Sequence, residues 1–155
     1  MIRKARISDT EDILRIINHY AEKDLMLPRS PLEVYENIRD YFVYLENGQI
    51  VGCAALHIFW NDLSEIKSLA VEEPYQRKGI GRKLVKECVK EATELGISRL
   101  FVLTYLPDFF KCQGFKLAEK NSLPHKIWTE CVNCHKFPEC AEVALTLDLP
   151  ASLQA

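Results

Sequence analysis

The chain has 155 residues, the size of one ordinary domain, and its 48% hydrophobic and 27% charged residues are a normal globular balance that argues against disorder. Its 20 basic and 22 acidic side chains leave a formal net charge of −2, which argues against a nucleic-acid partner. The charged start runs into Ser8-Asp9-Thr10-Glu11-Asp12 instead of an apolar stretch, so no signal peptide is expected. The most apolar run, residues 50–60, is too short to span a bilayer and contains His57. A cytoplasmic protein without a membrane partner or structural disulfides is the expectation. No repeat or linker divides the sequence, so residues 1–155 read as one domain.

Ile2, Lys4 and Arg6 alternate with Arg3, Ala5 and Ile7, the pattern of a short first strand. Ser8 or Asp9 is placed to cap a helix in which Ile13, Ile16, Ile17, Tyr20 and Ala21 recur at helical spacing. Pro28 closes that region, and Ser30-Pro31 opens a second short helix through Leu32, Tyr35 and Ile38. Residues 41–45 are aromatic and β-branched, and Asn47-Gly48 turns them back into a strand over 50–60, because Asn and Gly accept positive φ at little cost. Asn61-Asp62 turns the chain again into a strand over 64–71. These three consecutive strands are therefore antiparallel.

The period then changes. Ile80, Leu84, Val85, Cys88, Val89, Ala92 and Leu95 lie along one helix face, Lys83, Lys86, Glu87, Lys90, Glu91 and Glu94 point outward, and Gly96 ends the helix. Residues 100–104 form an almost wholly apolar strand, 107–111 a short helix closed by Gly114, and 115–118 and 143–149 the last strands. The order is β-α-α-β-β-β-α-β-α-β-β. Cys53, Cys88 and Cys112 sit in apolar patterns and are expected to be buried thiols.

Between a strand and the long helix lies Gln76-Arg77-Lys78-Gly79-Ile80-Gly81. Gly79 and Gly81 lack a Cβ and let a backbone approach a ligand. Free N–H groups at a helix start attract anions, and Arg77, Lys78 and Arg82 add positive charge. On glycine spacing alone, a pyrophosphate cradle and a plain turn into a helix are equally good readings.

The segment resembles the acyl-CoA-binding signature Q/R-x-x-G-x-G/A of the GNAT superfamily of N-acyltransferases. Leu69-Ala70-Val71 before it resembles that family's strand whose splayed end takes the pantetheine arm, and the element order is similar throughout. Ile50-Val51-Gly52-Cys53-Ala54-Ala55-Leu56-His57, Glu65-Ile66-Lys67-Ser68-Leu69-Ala70-Val71, Leu103-Thr104-Tyr105 with Phe109-Phe110, and Leu123-Pro124-His125-Lys126 are most similar to the acetyltransferase domain of the N-acetylglutamate synthase family. The resemblance implies an α/β (α+β) GNAT fold. Its central sheet would be mixed, mostly antiparallel, splayed between the fourth and fifth strands and flanked by helices. Acetyl-CoA is the implied cosubstrate, and Phe109 and Phe110 join Leu69–Val71 and residues 76–82 as candidate CoA-binding residues. The kinase domain through which long members sense arginine has no counterpart in this sequence.

Acetyl transfer to an amine requires a base, a polarised thioester carbonyl and a stabilised leaving thiolate. A backbone N–H of Leu69-Ala70-Val71 is the candidate for carbonyl polarisation. Glu65 is the candidate catalytic base, in line with many GNAT members; the bland alternative is a solvated carboxylate paired with Lys67. His57 on the neighbouring strand is the second candidate. Where many family members have a tyrosine acid, this chain has Phe110, so no acid is assigned; Tyr105 is near in sequence but matches no motif.

The implied reaction is acetylation of the α-amine of L-glutamate, a step of arginine biosynthesis. Its two carboxylates call for cations, since Arg binds carboxylates bidentately. Arg29, in the loop between the first helices, resembles the family's substrate-gripping arginine. Lys67 reads with it as substrate-binding, and Lys126 and Thr104 are further candidates. Cys131, Cys134 and Cys140 cluster with zinc-like closeness, with His125 or His135 as a fourth ligand. Zinc, reduced thiols and a disulfide all stay open there. The rival functions are acetylation of another amine, small or protein-borne, and a non-catalytic acetyl-CoA-binding or zinc-stapled interaction module. The expected partner is a small-molecule amine, with a homodimer left open.

Overall fold

The computed structural model describes residues 1–119, 123 and 142–150. Its elements are β1 (Ile2–Lys4), α1 (Thr10–Ala21), α2 (Pro31–Glu36), β2 (Tyr41–Glu46), β3 (Gln49–Trp60), β4 (Leu63–Val71), α3 (Ile80–Glu94), β5 (Arg99–Thr104), α4 (Pro107–Lys111), β6 (Lys116–Ala118) and β7 (Val143–Asp148). Short 3₁₀ turns at Ile7–Asp9, Ile38–Asp40 and Glu73–Tyr75 stand before α1, β2 and α3. The strands make one mixed sheet in the order β1-β2-β3-β4-β5-β7-β6, with β4 and β5 parallel. No helix among the described residues is long and apolar enough to cross a membrane.

Two compact units make up the chain. The first comprises Met1–His57 and Ile66–Glu91. Here β1 pairs antiparallel with β2, and β2 with β3 from Tyr41↔Ala55 to Glu46↔Gln49. The hairpin turns on Asn47 and Gly48, both left-handed at φ 51° and 78°, which matches the twist of the flanking strands. The apolar stripe of α1 (Ile13, Ile16, Ile17, Tyr20) packs with Val34 of α2 and with Tyr41, Val43, Ile50, Cys53, Ala55 and Ala70 of the strands. Each such isoleucine contributes roughly 1.5–3 kcal/mol on burial. The start of α3 lies close against the strands at Gly52, where a Cβ would meet the Ala70 carbonyl oxygen, Ile80 Cγ2 and Leu84 Cδ1, each at 3.3 Å.

The second unit comprises Ile58–Glu65 and Ala92–Ala155. The parallel ladder sets Leu63–Glu65 opposite Arg99–Phe101, and β7 pairs antiparallel with β5 on one side and β6 on the other. Leu63, Phe101, Leu123 and Ala144 form its core, with Phe59 and Leu103 packed against them.

Three local expectations are corrected. Asp9 occupies the N-cap position of α1 but makes no side-chain cap bond. Arg3 takes its carboxylate at 2.7 and 3.1 Å, and the Arg6 amide donates to it at 2.7 Å, so it ties β1 to the following turn. Leu95 does not belong to the buried face of α3: it is 56% exposed. The helix stops at Glu94 because Gly96 turns left-handed at φ 82°, with Gly96 N–H bonded to Thr93 and Ile97 N–H to Ala92, and Ile97 takes the buried place instead. Cys53 and Cys88 are buried thiols as expected, but Cys112, just past the five-residue α4, is exposed. Ser30-Pro31 opens α2 as read, and Ser30 caps it in a reciprocal box with Glu33 at 3.2 Å each way.

Candidate functional site

The segment from β4 into α3 has the backbone of an anion cradle. Arg77 and Gly79 are left-handed at φ 65° and 82°, on either side of Lys78. Left-handed residues in such a turn aim successive N–H groups toward one concavity, and the 15-residue α3 adds the positive end of its dipole. Gly79 accepts the first helical bond, from Lys83 N–H at 3.1 Å. A Cβ on Gly79 would have nothing within 4 Å, so its φ, not crowding, calls for glycine, and the space above it is open. Arg77, Lys78 and Arg82 are exposed and bring three cations to this turn, while Ile80 anchors it in the core at 2% exposure. Gly81 lies inside the first turn of α3. These residues fit the pyrophosphate of acetyl-CoA in charge and in backbone geometry.

Gln76 departs from a purely ligand-facing role. Its side-chain amide turns back to donate to the Val71 carbonyl at 3.0 Å and to the Tyr20 hydroxyl at 2.5 Å. It holds the entry to the cradle.

A second polar cluster surrounds Arg29. The Asn18 side chain accepts from Arg29 N–H at 3.1 Å and donates to its carbonyl at 3.3 Å, so both backbone groups of this residue are fixed. The Arg29 side chain is 16% exposed, and its guanidinium lies 3.6 Å from Glu33 and 3.4 Å from the Ser68 hydroxyl. Ser68 is left-handed (φ 55°) within β4, a conformation rare for a strand residue with a side chain, and it is buried. Its hydroxyl also accepts from Tyr41 at 3.4 Å, and its carbonyl from Cys53 Sγ at 3.4 Å. Burial pushes the Tyr41 hydroxyl up to about 12, so it stays a donor across the physiological range. Lys67 is half-buried on the same strand, next to Ser68. Asn18 and Tyr41 lie in none of the motifs read from the sequence, and Ser68, although inside the segment 65–71, carries no assigned role there.

Glu65 is 3% exposed and lies opposite Phe101 in the parallel ladder. A fully solvated carboxylate is therefore excluded. His57 Nδ1 is 2.6 Å from Asp40 Oδ2, with both side chains about a quarter exposed. Thr104 Oγ1 accepts from Leu106 N–H at 2.9 Å and shapes the turn before α4; its proton can still be donated. Phe110 is core, packed edge-on to Phe109 at 5.0 Å and near Phe115 at 5.4 Å, and Phe109 is half-buried. Lys126, Cys131, Cys134, Cys140, His125 and His135 lie outside the described residues. Among the described residues no three His, Cys, Asp or Glu side chains are placed to hold a metal ion.

The sequence pattern of the acetyltransferase (GNAT) family matches residues 9–115. The chain belongs to that family and is an acetyl-CoA-dependent N-acetyltransferase. It is 43% identical over 148 residues to an uncharacterized N-acetyltransferase of Chlorobaculum tepidum, 96% of each chain being covered. It is 33% identical over 133 residues to an amino-acid acetyltransferase of Mycobacterium tuberculosis, covering 84% of this chain and 76% of that one. A solved structure of N-acetylglutamate synthase from Neisseria gonorrhoeae, complexed with coenzyme A and N-acetyl-glutamate, superposes with a TM-score of 0.85 at 28% identity. That match covers 97% of this chain and 35% of the synthase. A Mycobacterium tuberculosis protein solved with CoA superposes with a TM-score of 0.84 at 28% identity, covering 97% of this chain and 99% of that one.

Proposed function

We propose that this enzyme transfers the acetyl group of acetyl-CoA to the α-amine of L-glutamate, as a step of arginine biosynthesis. One observation carries the choice of a carboxylate-bearing acceptor. Arg29, largely buried, is fixed at both backbone groups by Asn18, while its guanidinium has a loose 3.6 Å approach to the half-exposed Glu33. A guanidinium so placed is set to take a substrate carboxylate bidentately, with Lys67 as the second cation of the pocket. The names of the amino-acid acetyltransferase relatives and the N-acetyl-glutamate held by the gonococcal synthase support the reading.

In this mechanism Glu65 accepts the amine proton, directly or through a water, from a position shielded from bulk solvent. The amine nitrogen then attacks the thioester carbonyl, whose developing negative charge is met by a backbone N–H of Leu69-Ala70-Val71. Collapse breaks the C–S bond and releases the CoA thiolate. With Phe110 where many relatives have a tyrosine, that thiolate leaves without a dedicated side-chain acid.

A panel of amino acids and polyamines, assayed for thiol release, tests the proposal. Glutamate is expected to have the highest kcat/KM; equal turnover of putrescine would refute the carboxylate requirement. Arg29→Ala should raise KM for glutamate with that for acetyl-CoA unchanged, and an unchanged glutamate KM removes Arg29 from the pocket. A different amino acid would still present its α-carboxylate to Arg29, and the same panel separates that reading from glutamate.

A further inference from the structure

Side chains from α1 and the turn after it converge on the few residues that lead from β4 into the cradle. Arg15 donates to Glu72. His19 Nε2 lies 2.9 Å from Glu73 Oε1, and Lys23 pairs with the same oxygen. Tyr20 donates its hydroxyl to the Val71 carbonyl and accepts from Gln76 Nε2 at 2.5 Å. Arg15 and His19 are four apart on α1, next to Tyr20, and Lys23 follows in the turn after the helix.

These contacts differ in kind. The ion pairs of Arg15, His19 and Lys23 join exposed or half-exposed groups, where water and salt screen them. Tyr20 is a core residue of 8% exposure, packed with Ile13, Ile16 and Ile17, so its hydroxyl is delivered to a fixed point. Burial raises its pKa, with the charge of Glu73 acting the same way, and it therefore remains a donor. Its two partners are the last residue of β4 and the residue before the left-handed Arg77.

We propose that Tyr20 is a positioning residue for the donor site. By holding the Val71 carbonyl and the Gln76 amide together, its hydroxyl fixes the angle at which the chain enters the Arg77–Lys78–Gly79 turn, so that the cradle is formed before acetyl-CoA arrives. A preformed cradle spares the ligand the cost of ordering the loop. The role follows from the donor chemistry of the family and does not depend on glutamate being the acceptor.

Tyr20→Phe keeps the ring and removes the hydroxyl. Calorimetry with CoA alone should show Kd raised about three- to tenfold on loss of the hydroxyl's bonds to the Val71 carbonyl and the Gln76 amide. In the acetyl-transfer assay KM for acetyl-CoA should rise by the same factor, while KM for acetyl-pantetheine, which lacks the pyrophosphate, stays within about twofold. Gln76→Met should behave alike, and combining it with Tyr20→Phe should add little further loss, because the Tyr20 hydroxyl, the Gln76 amide and the Val71 carbonyl form one hydrogen-bonded network. An unchanged Kd for CoA, an equal penalty on both donors, or fully additive losses would overturn the proposal. A merely structural role would reduce the folded fraction and leave both constants where they were. The CoA titration needs no acceptor, so its failure is distinguishable from failure of the glutamate reading.

Discussion

Gly79→Ala perturbs the cradle through conformation alone. The glycine sits at φ 82°, and a Cβ there would have nothing within 4 Å, so no clash contributes to the outcome. An alanine held in the left-handed region costs about 1–2 kcal/mol, offset by about 0.4–1 kcal/mol because alanine narrows the unfolded ensemble. Two outcomes share that cost. If the turn keeps its shape, the fold bears it, and Tm falls by roughly 2–4 °C per kcal/mol for a chain of this size. If the turn relaxes, the fold is spared and the amides leave the anion, so a cost of about 1–2 kcal/mol appears as a roughly five- to thirtyfold rise in KM for acetyl-CoA. Thermal unfolding by circular dichroism, with KM measured on the same preparation, reads both. Gly79→Asn should recover most of the loss, since asparagine tolerates the left-handed region. If neither Tm nor KM moved in Gly79→Ala, the left-handed turn would not be required, and the account of the cradle as a preformed anion site would fail.

Gly52→Ala should do the reverse. Its Cβ would press at 3.3 Å on a backbone oxygen and two core side chains, so overpacking of about 1–3 kcal/mol should lower Tm and spare both KM values if α3 stays in place. Ser64 Oγ is buried with no hydrogen-bond partner among the described residues, so Ser64→Ala should be neutral or stabilising in urea unfolding. A loss beyond about 1 kcal/mol would show that the hydroxyl is paired. The hydrogen bond from Arg3 holds the Asp9 carboxylate below its ordinary value of 3.8, burial opposing it. A depressed carboxylate contributes stability above its unfolded pKa and loses it as pH falls through the lower folded value. Asp9→Asn should therefore be less stable than the parent at neutral pH, and the gap should close below about pH 4. A gap independent of pH would exclude the ion pair as its source.

Most of the fold was legible because its signals are local. Period-two and period-3.6 patterns marked the strands and helices, and turn residues marked their joints. Pro107–Lys111 was bounded by Pro107 and Gly114, and the hairpin by Asn47-Gly48. The errors came from a tertiary partner in one case and from a helix end in another. Asp9 looked like a helix cap, but Arg3, six residues earlier, claims its carboxylate. Leu95 continued the heptad-like stripe of α3, but the left-handed Gly96 had already ended the helix. Nor does periodicity say that the last strand inserts between β5 and β6; that order depends on long-range pairing.

The two halves of the site differ in legibility for the same reason. The donor cradle depends on backbone conformations that glycine records, so Gly79 advertised it, although Arg77 adopts its positive φ with no mark in the sequence. The proposed acceptor side depends on convergence: Asn18, Arg29, Tyr41 and Ser68 come from a helix, a loop and two strands, and no spacing rule joins them. Ser68 shows the limit most plainly, since a strand serine reads as ordinary until its φ of 55° turns its hydroxyl toward Arg29. Substitutions that retune acceptor choice should therefore fall among the residues that hold Arg29, and those in the cradle should change the affinity for acetyl-CoA while leaving the order of preferred acceptors intact.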